Sequence, residues 1–383
     1  MFISIALWQV KYVFRAVNQV APLTVKPPAL AGYDSHQHRK SPMEKGFYLR
    51  KRGKVFGPYS KDELAQLVGE EPGSVVETVS PMKALITGAT GFVGRRLLEK
   101  LTSPVILTRD PERARQQIDR DDVRYHGWNA DEEIPPAEAF DGVDVVFHLA
   151  GESVAKGRWT AAKKKRILDS RVIGTRNLVE GLRALENPPG VLVSASAVGF
   201  YASRGDEILS EQSSQGDDFL ADVCQQWEAE SARAAESGIR VVNPRISIVL
   251  GTSGGALKQM LTPFRFGVGG RLASGRQWMP WIHIDDLVAA MLRMATSPEL
   301  SGPVNAAAPG EVTNLEFTKT LGRVLKRPTI FPVPRFMLRL LIGQFAEILV
   351  ASSRIAPQRL LDTGFPFAYP ELEAALRHLL GRQ

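Results

Sequence analysis

The chain has 383 residues, of which 44% are hydrophobic and 23% are charged, and it carries a formal net charge of +7. This length predicts two or three domains, and this composition is typical of a globular protein with a substantial core. A single cysteine, Cys224, excludes a disulfide framework and favours a reducing, cytoplasmic location, and no Cys/His spacing typical of a metal site occurs.

Residues 1–45 are predicted to be an extension and linker ahead of the folded units. The first 25 residues are apolar but include Lys11 and Arg15, and no apolar run approaches the roughly 20 residues of a membrane-spanning helix. A surface-lying amphipathic helix and a true start of translation at Met43 both remain open for this stretch. We therefore predict no membrane span.

Residues 46–80 are predicted to form a small unit of their own. Tyr48–Arg50 and Lys54–Phe56 have the pattern of a β-hairpin, and Ser60 with Glu63 is typical of a capping box at a helix start. The string GKVFGPYSKDEL resembles GYF-like modules, which are small aromatic-bearing binding modules. That resemblance implies a protein partner for residues 46–80, and an accessory segment is the alternative.

The most informative stretch is KALITGATGFVG, from Lys83 to Gly94, where a strand, a glycine turn and a helix follow one another. Gly88 allows a sharp turn, Gly91 lets backbone N–H groups approach a pyrophosphate, and Gly94 lets the helix pack close to the strand. The helix N-terminus adds unpaired N–H donors for an anion. We predict a dinucleotide site that includes Gly88, Thr90, Gly91, Phe92, Val93 and Gly94.

Strands and helices alternate from this point, which predicts an α/β fold with a doubly wound parallel sheet, a Rossmann core, over residues 82–310. A smaller substrate-side subdomain should begin past Gly251, with a returning helix at about 285–296, and residues 311–383 should be mainly helical. The predicted strands are 83–87, 104–108, 123–125, 143–149, 191–196 and 239–245, and the long predicted helices are 160–185 and 217–237.

Arg109 follows the second predicted strand, where NAD-binding proteins usually carry an acidic residue for the ribose 2′-hydroxyl. A guanidinium suits a 2′-phosphate, so the position favours NADP(H) over NAD(H). The alternative is a surface arginine that pairs with Asp110 or Glu112.

The fourth predicted strand ends in Leu149-Ala150-Gly151-Glu152. The small Ala150 and Gly151 would let the backbone lie against the adenosine side of a dinucleotide. Glu152 is either functional or a carboxylate favoured by a helix N-terminus. We assign these four residues, from Leu149 to Glu152, to cofactor binding.

Ser196 and Tyr201 are the predicted catalytic residues. Ser196 lies at the end of the fifth predicted strand, where a hydroxyl could polarise a substrate carbonyl, and Tyr201 is the first candidate for acid–base chemistry. Arg245 and Val249, at the end of the sixth predicted strand, are expected near the nicotinamide half of the cofactor.

Several strings, among them ITGATGFVG, LAGESVA, SASAVGFY and SGRQWMPWIHIDDL, resemble the NAD(P)-dependent epimerase/dehydratase branch of the short-chain dehydrogenase/reductase superfamily. Within it the chain is similar to the YfcH-like epimerase family, which is sometimes labelled cell-division inhibitor. The resemblance runs from about 82 to 380, and its end resembles that family's C-terminal domain of unknown function. It implies an NADP-binding protein with a Rossmann core.

The chain departs from the catalytic pattern of this superfamily, in which a Tyr-x-x-x-Lys pair follows the serine. Leu220 takes the tyrosine position and Cys224 the lysine position, and neither can do the same chemistry. Arg171 replaces a usual asparagine and is predicted to reach cofactor phosphates or a substrate anion, the alternative being a surface role.

Three functions therefore compete. The first is an NADP-dependent oxidoreductase or epimerase that acts on an unidentified small polar substrate. The second is a non-catalytic NADP-binding regulator. The third, nucleic-acid binding through the basic stretch 158–171, is not expected, because a mild positive charge is weak evidence for it.

Overall fold

The computed structural model describes residues 47–51, 54–59 and 82–382. Strands β1 (Phe47–Lys51) and β2 (Lys54–Tyr59) pair antiparallel, which confirms the predicted hairpin. The extension 1–45 and the helix expected after Ser60 lie outside the described residues, and the GYF-like character of the unit stays a prediction.

The core is a parallel sheet in the order β5-β4-β3-β6-β7-β10-β13, and this confirms the predicted doubly wound α/β fold. The chain order reverses between β3 and β6, so the switch point where such folds bind ligands lies at the carboxyl ends of these two strands. The strands are β3 (Ala84–Thr87), β4 (Val105–Thr108), β5 (Arg124–Gly127), β6 (Val145–His148), β7 (Val191–Ser194), β10 (Arg240–Ile246) and β13 (Gly302–Ala306), with β8 (Ser196–Ala197) continuing beside β10.

The strands bury both faces, as sheets covered by crossover helices do. Ala84 and Ile86 of β3 contribute to one hydrophobic cluster, and Leu85 contributes to the cluster on the opposite face. The helices are α1 (Phe92–Leu98), α2 (Pro111–Gln117), α3 (Ala161–Arg183), α4 (Phe219–Ala232), α5 (Gly255–Arg265), α6 (Ile284–Thr296), α7 (Asn314–Leu325), α8 (Arg335–Ile342), α9 (Phe345–Val350), α10 (Gln358–Asp362) and α11 (Leu372–Leu379).

Helices α1 and α6 cover one face of the sheet, and α3 covers the other. The predicted helices 160–185 and 285–296 are confirmed to within two residues at each end. The predicted helix 217–237 is α4 followed by a 3-10 turn at Arg233–Ser237. Helix α1, which the glycine turn predicted, ends at Leu98.

Outside the main sheet, segments from before and after β10 in the chain form a second packing region. Two short strand pairs support it: β11 (Ile248–Leu250) pairs with β12 (Trp281–His283), and β9 (Ile208–Leu209) pairs with β14 (Arg354–Ile355). Helices α5, α7 and α11 pack together around Trp281. In the described part of the chain, no helix is both long and apolar enough to cross a membrane.

Candidate functional site

A cavity of about 340 Å³ lies at the switch point between β3 and β6. Its first wall is the glycine turn. Gly88 has a φ of +71°, and a Cβ there would come within 2.8 Å of the Leu149 carbonyl carbon. A Cβ at Gly94 would lie 2.4 Å from the Gly88 carbonyl oxygen. Both positions therefore require glycine, since any side chain would push the turn away from its neighbours.

Two side chains that the sequence reasoning missed fix the two strand ends to each other. The Thr87 hydroxyl oxygen accepts hydrogen bonds from the backbone N–H groups of Leu149 and Ala150, each at 3.1 Å. Thr87 Oγ1 also lies 2.8 Å from His148 Nδ1, and His148 Nε2 lies 3.0 Å from Thr175 Oγ1. Because the Thr87 oxygen already accepts twice, its proton goes to Nδ1, which makes His148 a neutral Nε2–H tautomer.

Burial agrees with that assignment, since it lowers the pKa of His148 to about 4. The imidazole is fully buried and joins β3, β6 and α3 without a charge. A buried strand-end polar residue next to a strand-end threonine is the sequence signal that could have revealed this clamp.

The second wall is the segment 149–152, which follows β6. Glu152 forms an ion pair with Lys163 of α3, and its backbone N–H donates to Ser170 Oγ at 3.0 Å. The hydrogen bond from Lys163 lowers the pKa of Glu152. Glu152 lies in a loop well before α3 begins, so the alternative of a helix N-terminal carboxylate is wrong.

Arg109 lies exposed at the far end of the cavity, after β4. Its two expected surface partners are engaged elsewhere: Asp110 Oδ1 accepts from the Arg113 N–H at 2.9 Å as the α2 cap, and Glu112 pairs with Arg115. The alternative in which Arg109 pairs with these carboxylates is therefore not what the structure shows.

Arg166 of α3 brings a second guanidinium to the same cavity, and Asp131 brings a carboxylate. Burial raises the pKa of Asp131, while the positive charge of Arg109 opposes that rise. Sequence reasoning missed both Arg166 and Asp131. The signal for Asp131 was its place just after a sheet strand, where the carboxyl edge gathers ligand contacts.

Eight of the residues predicted for the cofactor line this cavity, and six do not. Lining it are Gly88, Thr90, Gly91, Arg109, Leu149, Ala150, Gly151 and Glu152. The lining residues not foreseen include Thr108, Trp128, Asn129, Ala130, Asp131, Arg166 and Ser170.

Packing accounts for four of the six that lie elsewhere, which are Phe92, Val93, Gly94 and Val249. The Phe92 ring packs against the backbone of 251–255, where glycines leave room for it, and Val93 packs into the core. Gly94 is buried in α1, and Val249 is half-buried against the core in β11. Their predicted cofactor contacts stay predictions.

Arg171 supports the loop from beneath. Its guanidinium donates to the carbonyl oxygens of Glu152, at 3.0 Å, and Ile167, at 3.2 Å, and its central carbon lies 5.0 Å from the Trp227 ring centre. Burial lowers its pKa. The side chain is therefore committed to loop 149–152, and the expectation that it reaches phosphates is not supported by this geometry.

The predicted catalytic hydroxyls lie in a buried polar network at the ends of β7 and β10. Ser196 Oγ donates to Glu228 Oε1 at 2.6 Å, and the Arg245 guanidinium donates to both Glu228 oxygens at 2.9 and 2.8 Å. Arg245 also donates to the Tyr201 hydroxyl at 2.8 Å, and that hydroxyl donates to Asn305 Oδ1 at 2.7 Å.

This network corrects three predictions. Tyr201 is 0% exposed and burial raises its pKa to about 12, so it cannot serve as a proton acceptor near neutral pH. Arg245 is 3% exposed and fully engaged, so it is not a free cofactor ligand. The Ser196 proton is given to Glu228, so the hydroxyl does not face the cavity as a donor.

Helix α4 confirms the departure from the superfamily pattern. Leu220 lies against Gly199, and Cys224 is buried with a pKa raised to about 11 by that burial. A buried, protonated thiol cannot lower the pKa of a neighbouring hydroxyl as an ammonium does.

A second cavity, of about 390 Å³, lies next to the first. The loop that carries Glu152 continues into it through Ser153, Ala155 and Gly157, and α5, α7, α8 and α9 supply most of the remaining lining. No cavity-lining role of α8 or α9 was predicted from the sequence.

The basic run of α3 is partly neutralised by its surroundings. Lys163 pairs with Glu152, Lys165 pairs with Asp169, and Arg166 turns toward the first cavity. This does not favour a nucleic-acid surface, and the absence of nucleic-acid binding stays a prediction.

In the described residues, His283, Asp285 and His378 could offer metal ligands. His283 Nδ1 accepts from the Asp285 N–H at 3.0 Å, His283 Nε2 lies 3.1 Å from His378 Nδ1, and Asp285 pairs with Arg96. With these atoms already paired, the cluster is a packed joint between β12 and α11.

Residues 84–307 match the NAD dependent epimerase/dehydratase family, and residues 333–379 match a domain of unknown function. The chain is 38% identical over 307 residues to the chloroplastic SDR39U1 homolog, an epimerase family protein of Arabidopsis thaliana, covering 79% of this chain and 87% of that protein. It is 36% identical over 305 residues to epimerase family protein YfhF of Bacillus subtilis, covering 78% and 98%.

Two solved structures of epimerases are also similar to this chain. The human epimerase family protein SDR39U1 with NADPH is similar with a TM-score of 0.69 and 30% identity, covering 79% of this chain and 100% of that one. A nucleoside-diphosphate sugar epimerase from Corynebacterium glutamicum is similar with a TM-score of 0.62 and 35% identity, covering 79% and 59%. The predicted resemblance to the epimerase/dehydratase branch is confirmed, and the narrower YfcH-like label stays a prediction.

Proposed function

We propose that this chain, which belongs to the NAD-dependent epimerase/dehydratase family, is an NADP(H)-dependent oxidoreductase or epimerase-like enzyme. The observation that carries the proposal is the cavity at the switch point, with glycines on one wall and two arginines in its lining. A dinucleotide fits this donor set, because the turn at Gly88 and Gly91 exposes backbone near the N-terminus of α1, which favours an anion.

The preference for NADP(H) rests on Arg109 and Arg166. Both are exposed guanidiniums that line the cavity, Arg109 directly after β4 and Arg166 on α3, and a 2′-phosphate would accept charge-assisted hydrogen bonds from them. Such a bond contributes about 1.5–3 kcal/mol, which is roughly a 10- to 150-fold preference for NADP(H) over NAD(H). The Asp131 carboxylate, on which the positive charge of Arg109 acts, would oppose part of that attraction.

The nicotinamide supplies hydride chemistry when bound, as the family's dependence on NAD implies. The residues of this chain orient the cofactor: Thr87 and His148 hold the two strand ends together, and Arg171 holds loop 149–152 from beneath. Proton transfer must follow a route other than the Tyr-x-x-x-Lys pair, since Leu220 and Cys224 occupy those positions.

One observation favours a second function, a non-catalytic NADP-binding regulator. The hydroxyls of Ser196 and Tyr201 are both committed to the network around Arg245. A protein selected only to bind and report the cofactor would need no free hydroxyl at this place.

Titration of NADPH fluorescence, followed over time with a panel of carbonyl compounds and sugar nucleotides, tests the proposal. We expect saturable NADPH binding and oxidation by at least one panel member. Binding without turnover by any member would favour the regulator, and absence of NADPH binding would contradict both functions.

A further inference from the structure

The lining of the second cavity differs in chemistry from that of the first. Its polar side chains are Ser153, Gln259, Asn314 and Thr318, and none of the described residues that line it carries a charged side chain. Its apolar lining comprises Ala155, Ala256, Met260, Pro263, Phe264, Leu272, Phe317, Val333, Leu338, Ile342, Phe345 and Leu349.

The polar contribution is smaller than this composition suggests. Asn314 Oδ1 accepts from the Leu272 N–H at 2.8 Å, and Asn314 Nδ2 lies 3.7 Å from Met279 Sδ. Asn314 is thus held by its own neighbours. Ser153, which is exposed at the loop end, and Gln259 on α5 are the groups best placed to meet a ligand oxygen.

The second cavity adjoins the first through two shared structural elements. Residues 149–152 line the first cavity, and the same loop lines the second from Ser153 to Gly157. Phe92, directly after the glycine turn, packs against Gly255, which lines the second cavity. A ligand in the second cavity therefore lies beside the dinucleotide cleft.

A sugar nucleotide does not suit this lining. Its diphosphate carries negative charges that need cationic or multiple N–H partners, and burial of such charges without partners is strongly unfavourable. Neutral ligands are bound in cavities of this size by apolar contact with a few polar anchors.

We propose that the second cavity is the substrate site, and that the substrate is a neutral molecule with an apolar body and one carbonyl or hydroxyl group. This inference rests on the proposed NADP(H)-dependent function and replaces the small polar substrate expected from the sequence. It also gives the C-terminal domain of unknown function a role, because Leu338, Ile342, Phe345 and Leu349 of α8 and α9 close the apolar wall.

The test uses the full chain and the neutral fluorescent probe N-phenyl-1-naphthylamine, titrated with and without NADPH. Decanal and decanol should displace the probe, and UDP-glucose should not. Displacement by UDP-glucose, without displacement by the two apolar competitors, would overturn the proposal.

Two substitutions on different walls locate the probe. Ala256→Phe on α5 and Ala155→Phe on the loop should each fill the cavity and weaken probe binding by about tenfold or more. Ala289→Phe, an exposed alanine on α6 outside both cavities, is the matched control and should bind as wild type does. Equal affinity of Ala256→Phe, Ala155→Phe and Ala289→Phe would overturn the assignment.

A further control tests whether the probe binds in the second cavity or on the protein surface. Leu340 is 67% exposed on the outer side of α8, so Leu340→Ser should leave probe binding unchanged. A loss with Leu340→Ser and not with Ala256→Phe would place the probe on the surface and overturn the proposal.

NADPH affinity, measured on every variant, distinguishes the two proposals. Retained NADPH binding with lost probe binding supports the apolar site within a folded protein. If the wild-type protein does not bind NADPH but decanal still displaces the probe, the proposed function is contradicted. The apolar ligand site is then still supported.

Discussion

At the carboxyl ends of β3 and β6 the chain leaves a cavity of about 340 Å³, whereas at the ends of β7 and β10 its own side chains fill the space. Glycine and small residues make the first region receptive to a ligand. In the second region Arg245 and Glu228 pair with each other and draw in Ser196 and Tyr201. Polar residues at the carboxyl ends of the strands thus form a binding site only where neighbouring side chains leave them unpaired.

Arg245→Ala should have the largest effect, a loss of stability in the region that is filled by its own side chains. The change leaves the Glu228 carboxylate, whose side chain is only 14% exposed, without its cation, which should cost about 3 kcal/mol of unfolding free energy. Urea denaturation measures it. The control is Arg293→Ala, which breaks an exposed pair with Glu299 and should cost less than about 1 kcal/mol. Similar losses for the two variants would contradict the buried network.

Gly88→Ala should have the second largest effect, and it acts on the cavity at the ends of β3 and β6. The new Cβ would meet the backbone at Leu149 and would force a non-glycine residue to φ +71°, strain of about 1–3 kcal/mol before the collision is counted. NADPH affinity should fall at least about fivefold. Gly238→Ala, at φ +76° with open space around it, is the control for strain alone and should leave NADPH affinity unchanged.

Arg109→Ala should change cofactor preference without changing the fold. We expect NADPH affinity to fall about 10- to 150-fold and NADH affinity to change little, because one charge-assisted hydrogen bond is lost. Arg113→Ala removes the same charge from an exposed position on α2 outside the cavity, and it controls for net charge. Equal losses for NADPH and NADH would remove the 2′-phosphate assignment.

The smallest effect is expected for Ser196→Ala, which removes one hydrogen bond to Glu228 and should cost about 0.5–1.5 kcal/mol of unfolding free energy. NADPH affinity, and turnover with any active panel member, should stay near wild type. A complete loss of turnover at unchanged stability would restore Ser196 as a catalytic residue.

The sequence predicted the glycine turn, the strand before it, the helix after it and Arg109 because these features depend on neighbours within a few residues. The sheet's edge strand β13 was missed, because the string GPVNA begins with Gly302 and Pro303. Proline is tolerated on an edge strand but weakens the local pattern. Local pattern was therefore sufficient for the central strands and for the edge strand β5, and insufficient for the edge strand β13.

The site around Ser196 could not be read from the sequence, since its partners are distant along the chain. Glu228 is 32 residues from Ser196, and Asn305 is 104 residues from Tyr201. Whether a strand-end hydroxyl faces a cavity or a buried carboxylate depends on which helix packs over it.

Spacing of glycines and alternation of strands established a dinucleotide-binding α/β fold, because turn geometry and periodicity are local properties of the chain. Packing of distant segments established the rest. It brought Arg166 to the cofactor cavity, enclosed Tyr201, and assembled an apolar cavity from the loop after β6 and helices as far along the chain as α9. Such contacts arise from burial and charge pairing between residues far apart in the chain, for which no local sequence pattern exists.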